Sequence, residues 1–308
     1  MRTSLSRILL RGNPAVLTAL RPFTVSVARC SSVQTAQERA EATVAAAQGG
    51  VAAEEAQMQR VERTMRRFWK TASITEPPSN MKGQYAIALD GRHIKTPGLN
   101  KLLIPKAKRS LALMLAAEWD AQTKVLKPHA LPLTSLVSRA IDAFHPATTH
   151  DPTVRSEVIS RMLSYLDTDT ILYHQEYPDS LVALQERDWV PLLDWARREH
   201  NIEIVVTTGM VATRQPEETR ARLRLELETM DPIELSAFER ACMTSKSFLV
   251  ALALVKRAVM VEEAARAAQV EVNSQIQRWG MVEDSHDVDR EDMRMSLGSV
   301  ACAVMAEK

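Results

Sequence analysis

Between Tyr85 and Trp119 the apolar residues change from strand spacing to helix spacing. That switch limits the chain to folds in which a small sheet packs against helices. Tyr85, Ile87 and Leu89 alternate with smaller residues, as one face of a strand requires. Asp90-Gly91 is a hairpin signal, because glycine accepts a positive φ without steric cost. His93 to Lys95 reads as the return strand, stopped at Thr96-Pro97-Gly98, and Leu102 to Ile104 as a short further strand stopped by Pro105. Leu111, Leu115 and Trp119 then recur at i, i+4 and i+8, which puts them on one helix face. Glu118 borders that apolar stripe, where a carboxylate needs a partner. We therefore expect structural roles for Asp90 and Gly91 in the turn, and for Trp119 and Glu118 where the helix meets the rest of the fold.

The chain continues helical from Ser135 to Phe144. His145-Pro146 and Asp151-Pro152 bracket a loop, since a residue before proline is pushed out of the helical region. The fold class expected is α+β: an N-terminal β-rich domain with one or two helices over 67–148, then an all-helical C-terminal domain over 149–308. Asp151-Pro152 starts the first helix of that part, with Val158, Ile159, Met162, Tyr165 and Leu166 as its stripe. A helix from Ser180 carries Leu184, Trp189, Leu192 and Trp195. Ile202 to Val206 is strand-like, and Pro216-Glu217-Glu218 opens another helix. Asp231-Pro232-Ile233-Glu234 has the form of a capping box, with a helix break near Thr244-Ser245. Phe248 to Val255 is too short to span a bilayer and reads as a buried core helix. Glu262-Glu263 begins a helix ending at Trp279-Gly280, and a last one spans Asp289 to Met305.

The lead differs from all of this. No acidic residue precedes Glu38, while Arg2, Arg7, Arg11, Arg21 and Arg29 alternate with apolar and hydroxyl residues. Arginine-rich, serine-rich and acid-free is the profile of a mitochondrial transit peptide, expected here over 1–37; the alternative is a disordered basic tail. Residues 38–66 are rich in Ala, Glu and Gln with a thin apolar stripe, and read as a helical or disordered linker.

Catalytic patterns are scarce. A net charge of +1 leaves no electrostatic footprint for nucleic acid. Cys30, Cys242 and Cys302 fit neither a disulfide framework nor a zinc site. The glycines form no phosphate-cradling loop and the histidines no metal spacing, so no nucleotide, cofactor or metal is expected. Asp167 and Asp169 could do acid/base work, but in Asp167-Thr168-Asp169-Thr170 before an apolar run helix capping explains them better. Glu271, Gln275 and Trp279 share a helix face, flanked by Arg278. An acid, an amide, an indole and a guanidinium so arranged suit a partner-binding surface. The competing reading is a solvated rim with Trp279 tucked into the core.

Several motifs together resemble a known family. They are Phe68-Trp69-Lys70, Leu89-Asp90-Gly91-Arg92 with Lys95-Thr96-Pro97, Ala117-Glu118-Trp119-Asp120-Ala121-Gln122, Pro132-Leu133-Thr134, Thr168-Asp169-Thr170 followed by Tyr173, Trp189 with Trp195, and Gln275 to Gly280. In this order the chain resembles the assembly chaperone of the F-type ATP synthase that holds the alpha subunit of the catalytic sector. The resemblance covers about residues 67 to 290 and implies no catalysis. It implies a place in the mitochondrial matrix, where the protein shields the apolar interface of the unassembled alpha subunit until the beta subunit displaces it. It also implies that the acid at Glu271 touches the partner. The alternative is a mitochondrial matrix enzyme with an unrecognised carboxylate site at Glu118, Asp167 or Asp169.

Overall fold

The computed structural model describes residues 66–77, 83–209 and 214–307. The targeting lead and nearly all of the expected linker lie outside the described residues. Val61–Lys308 forms one compact unit, and its described part is an α+β fold with a small antiparallel sheet followed by helices.

Strand β1 (Ala72–Thr75) pairs with β2 (Gln84–Leu89), with Ile74 opposite Ile87. The chain turns into β3 (Arg92–His93), and the other end of β2 pairs with β4 (Leu103–Pro105), with Tyr85 opposite Ile104. The turn is the one the sequence predicts. Asp90 and Gly91 have φ of +47° and +81°, as a two-residue hairpin turn with two left-handed centres requires. The Asp90 carboxylate also accepts the amides of Lys70 and Thr71, each at 3.0 Å. The Thr71 and Lys70 amides hold its carboxyl below the usual value. The first strand starts at Ala72, because the preceding segment is engaged elsewhere. Arg67 donates its amide to the Lys124 carbonyl (3.1 Å) and its guanidinium to the carbonyls of Trp69 and Asp120.

Helix α1 (Arg109–Asp120) buries Leu111, Ala112, Leu115 and Ala116 against the sheet. Helix α2 (Pro132–Arg139) runs into a π-type turn at Ala140–Phe144. Then come α3 (Thr153–Asp167), α4 (Asp179–Asp188) and α5 (Val190–His200). The single helix expected from Ser180 is thus two. Pro191 has no amide to donate to Arg187, and its ring clashes with that carbonyl, which breaks the helix at Trp189. Ile202 to Val206 is not a strand. The Gln215 side chain takes the strand partner's place: its Oε1 accepts the Val205 amide (3.0 Å) and its Nε2 donates to the Val205 carbonyl (2.9 Å).

Helix α6 (Glu217–Thr229) precedes α7 (Pro232–Ser245), which opens on the predicted capping box. Asp231 accepts the amides of Ile233 and Glu234 at 2.7 and 2.9 Å, and Glu234 reaches back to the Asp231 amide. After a left-handed Lys246, Ser247 caps α8 (Phe248–Val255), all of whose residues are buried. The predicted helix from Glu262 to Trp279 is also split, into α9 (Val261–Ala268) and α10 (Val270–Trp279). The Trp189 indole donates to the Ala267 carbonyl at 2.8 Å, a competing claim on a group that a continuous helix would direct to Glu271. Helix α11 (His286–Ala303) closes the fold and starts slightly earlier than expected. No helix among the described residues is long and apolar enough to cross a membrane.

One core cluster runs from Ile87 in the sheet to Val304. It passes through the boundary expected near residue 148. Ser236 in α7 donates to the Leu136 carbonyl (2.9 Å), Arg139 forms a two-pronged ion pair with Glu239 (both contacts 2.9 Å), and Arg240 donates to the Pro132 carbonyl (2.6 Å). These polar ties sit beside apolar burial, so the sheet side and the helical side are parts of one core.

Candidate docking surface

Helix α10 is anchored lightly. Val270 and Ser274 are its buried residues, and Gly280, at φ +87°, ends it with its amide on the Ile276 carbonyl. The opposite face is open. Glu271, Gln275, Arg278 and Trp279 are all exposed, as a shared outward face requires. Trp279 is 71% exposed, so it is not tucked into the core. The Arg278 guanidinium carbon lies 5.2 Å from the centre of the Trp279 ring, a cation–π distance. Glu271 forms no ion pair among the described residues. The face therefore presents an indole with a cation over it and a carboxylate still able to accept an external donor.

The residues expected to be structural sit elsewhere. Glu118 accepts the Leu133 amide (2.7 Å), the Thr134 amide (2.9 Å) and the Thr134 hydroxyl (2.8 Å). It thus serves the N-terminus of α2, whose own first residues supply no side-chain cap. Burial raises its carboxyl, and those hydrogen bonds together with Arg240 recover only part of the shift. Trp119 is half-buried; its indole donates to the Thr134 hydroxyl (3.0 Å) and its ring centre lies 5.2 Å from that of Trp69. The more deeply buried indole is Trp69, at 4% exposure, which donates to the Trp119 carbonyl.

The carboxylates considered for catalysis are occupied structurally. Asp167 pairs with Arg220 (2.6 Å) and accepts the Gln215 amide (2.9 Å). Asp169 is fully buried; one oxygen accepts the Ile171 amide (3.1 Å) and the other the Leu249 amide (3.0 Å). Burial pushes its carboxyl up to about 6. Neither these two nor Glu118 lines the groove of about 830 Å³ between Trp119 and Asp142. Burial would raise the carboxyl of Asp142 in that groove, but hydrogen bonds from Thr96, Asn100 and Gly98 hold it below its usual value. Cys242 is buried and its thiol pushed well up by that burial.

Sequence reading did not identify the apolar residues beyond α10. Met281, Val282 and Val288 are exposed beside Trp279. Their signal in the sequence is Met281-Val282 just after a helix-ending glycine, with Val288 set into the acidic run from Glu283 to Asp292 that follows.

The chain is similar to known proteins over most of its length. The ATP12 chaperone protein family matches residues 66–197, a span that ends before α10. The mitochondrial protein atp12 of Schizosaccharomyces pombe is 34% identical over 246 residues, covering 77% of this chain and 81% of that protein. Mitochondrial ATP12 of Saccharomyces cerevisiae is 29% identical over 285 residues, covering 80% and 86%. The crystal structure of Atp12 from Paracoccus denitrificans, at 28% identity, superposes with a TM-score of 0.64 over 79% of this chain and 97% of that one. The matched family is one of chaperones rather than catalysts, which agrees with the structural use of Glu118, Asp167 and Asp169. With 34% identity to a relative of which it covers 81%, and with the sheet-then-helices architecture in common with a solved Atp12, this chain belongs to the ATP12 chaperone protein family.

Proposed function

We propose that this chaperone assists assembly of the F-type ATP synthase in the mitochondrial matrix. It binds the unassembled alpha subunit of the catalytic sector, covers its apolar interface and yields to the beta subunit. Residues 1–37 act as the transit peptide, in line with the mitochondrial names of its relatives. The observation that carries the reading is the outward face of α10, where Glu271, Gln275, Arg278 and Trp279 stand in solvent with no internal role to explain Trp279. A lone subunit with an exposed apolar interface aggregates, and a transient cover needs only a smaller or less well packed contact than the final one.

Glu271→Lys tests this reading. The side chain is exposed, so the variant should fold and melt like the wild type. Its capture of isolated alpha subunit should fall by about tenfold or more, as reversal of a contacting charge produces. Capture equal to that of the wild type would remove Glu271 from the contact.

A further inference from the structure

The corner joining α10 to α11 combines two features. Trp279, Met281 and Val282 are exposed almost in succession, and Val288 in the first turn of α11 is exposed as well. The corner is held by its own hydrogen bonds: the His286 amide donates to the Val282 carbonyl, and the Val282 amide to His286 Nδ1, both at 3.1 Å. Around it stand Glu283, Asp284, Asp287, Asp289 and Asp292, none of them ion-paired among the described residues. Of the nearby basic groups, Arg278 lies over the Trp279 ring at the edge of the corner, and the arginines of α11 are engaged with carboxylates. Arg294 pairs with Glu262 (2.6 Å) and Glu291 (3.2 Å), and Arg290 lies 3.8 Å from Glu291. Asp287 and Asp289 suit the positive end of α11, but Glu283 and Asp284 precede the helix and gain little from it.

An apolar patch that water covers is costly to keep, and a rim of unpaired carboxylates selects what can cover it. A second copy of this chain would set acid against acid. An anionic membrane surface would be repelled. A surface with its own lysines or arginines around exposed apolar residues meets both requirements. We infer that this corner is a second contact of the docking surface, receiving an apolar segment of the alpha subunit flanked by basic residues. The inference rests on the client reading above and names the chemistry of the contact.

The test uses the full chain, isolated alpha subunit and two variants. Met281→Ser/Val282→Ser/Val288→Ser removes the apolar patch, and Glu283→Lys/Asp284→Lys/Asp289→Lys reverses the rim. Because all six side chains are exposed, both variants should keep the wild-type circular dichroism and melting midpoint. The apolar variant should bind about tenfold more weakly at both about 50 mM and about 500 mM salt, whereas the charge variant should lose about tenfold at the lower salt and approach the wild type at the higher, where charges are screened. If the wild type binds the alpha subunit and both variants match it within about twofold at low salt, the corner is not the contact and the client reading stands. If the wild type itself does not bind, the client reading fails and takes this inference with it. Self-association of the wild type that the apolar variant loses would reassign the corner to a second copy and overturn the proposal.

Discussion

Asp169→Ala should lose about 4 kcal/mol of stability, read as a shifted guanidinium unfolding midpoint, because each buried donor left unpaired costs about 1–3 kcal/mol and a small void is added. Asp169 is fully buried and its two oxygens serve different elements: one holds the Ile171 amide in the turn after α3, the other the Leu249 amide at the start of α8. Alanine frees both amides in the most apolar part of the molecule. A variant within about 1 kcal/mol of the wild type would show that neither hydrogen bond matters to the core.

The same carboxyl has a pH signature of unusual sign. Burial raises it from the ordinary 3.8 to about 6 in the folded protein. The folded state therefore holds the proton more tightly than the unfolded state does. The stability it adds is fully present below the unfolded value, and is lost as pH rises through the folded one. The shift corresponds to a span of about 3 kcal/mol. Other carboxylates contribute in the opposite direction, so the effect is isolated by subtraction. Asp169→Asn keeps an acceptor and removes the titration. The stability of the wild type minus that of this variant should fall between about pH 4 and about pH 6, then level off. A difference that does not change with pH would contradict the burial of the charged form.

Trp119→Arg is the second large effect, expected to cost about 3 kcal/mol and to lower the melting midpoint by about 10 °C. The ring leans on Trp69, itself buried, and its indole steadies the Thr134 hydroxyl that in turn donates to Glu118. An arginine would drop the ring-to-ring contact, remove that donor geometry and bring a cation to the seam between α1 and α2. Trp119→Phe separates the two contributions. It keeps most of the apolar contact, loses the hydrogen bond, and should cost about 1 kcal/mol. Wild-type melting of Trp119→Arg would show that the half-buried ring carries no weight.

The parts of the fold that sequence made legible are those decided locally. The Asp90-Gly91 turn, the box at Asp231 and the all-apolar α8 depend on residues within a few positions of one another. The Trp189 break also has a local cause in Pro191, but the strong apolar stripe on both sides of it masked that signal. The break at Gln269 has no local cause. It sits beside a carbonyl taken by the Trp189 indole from the junction of α4 and α5. Ile202 to Val206 has strand composition, yet side chains take the place of a strand partner: Gln215 on Val205, Thr219 on the Glu203 carbonyl and Arg197 on the Ile204 carbonyl. The candidate docking face divides in the same way. Spacing placed Glu271, Gln275 and Trp279 together, but periodicity says only which residues share a face, not which face meets water. That Trp279 is outside follows from the burial of Val270 and Ser274 on the opposite side.

The tie between α2 and α7 has a consequence for how the molecule comes into being. The sheet, α1 and α2 are encoded first, and the surface that α2 covers belongs to α7 and α11, encoded last. A chain delivered N-terminus first must hold its early elements unfinished, apolar faces bare, until residues 232–303 have followed. During that interval those bare apolar faces are open to any other chain that meets them.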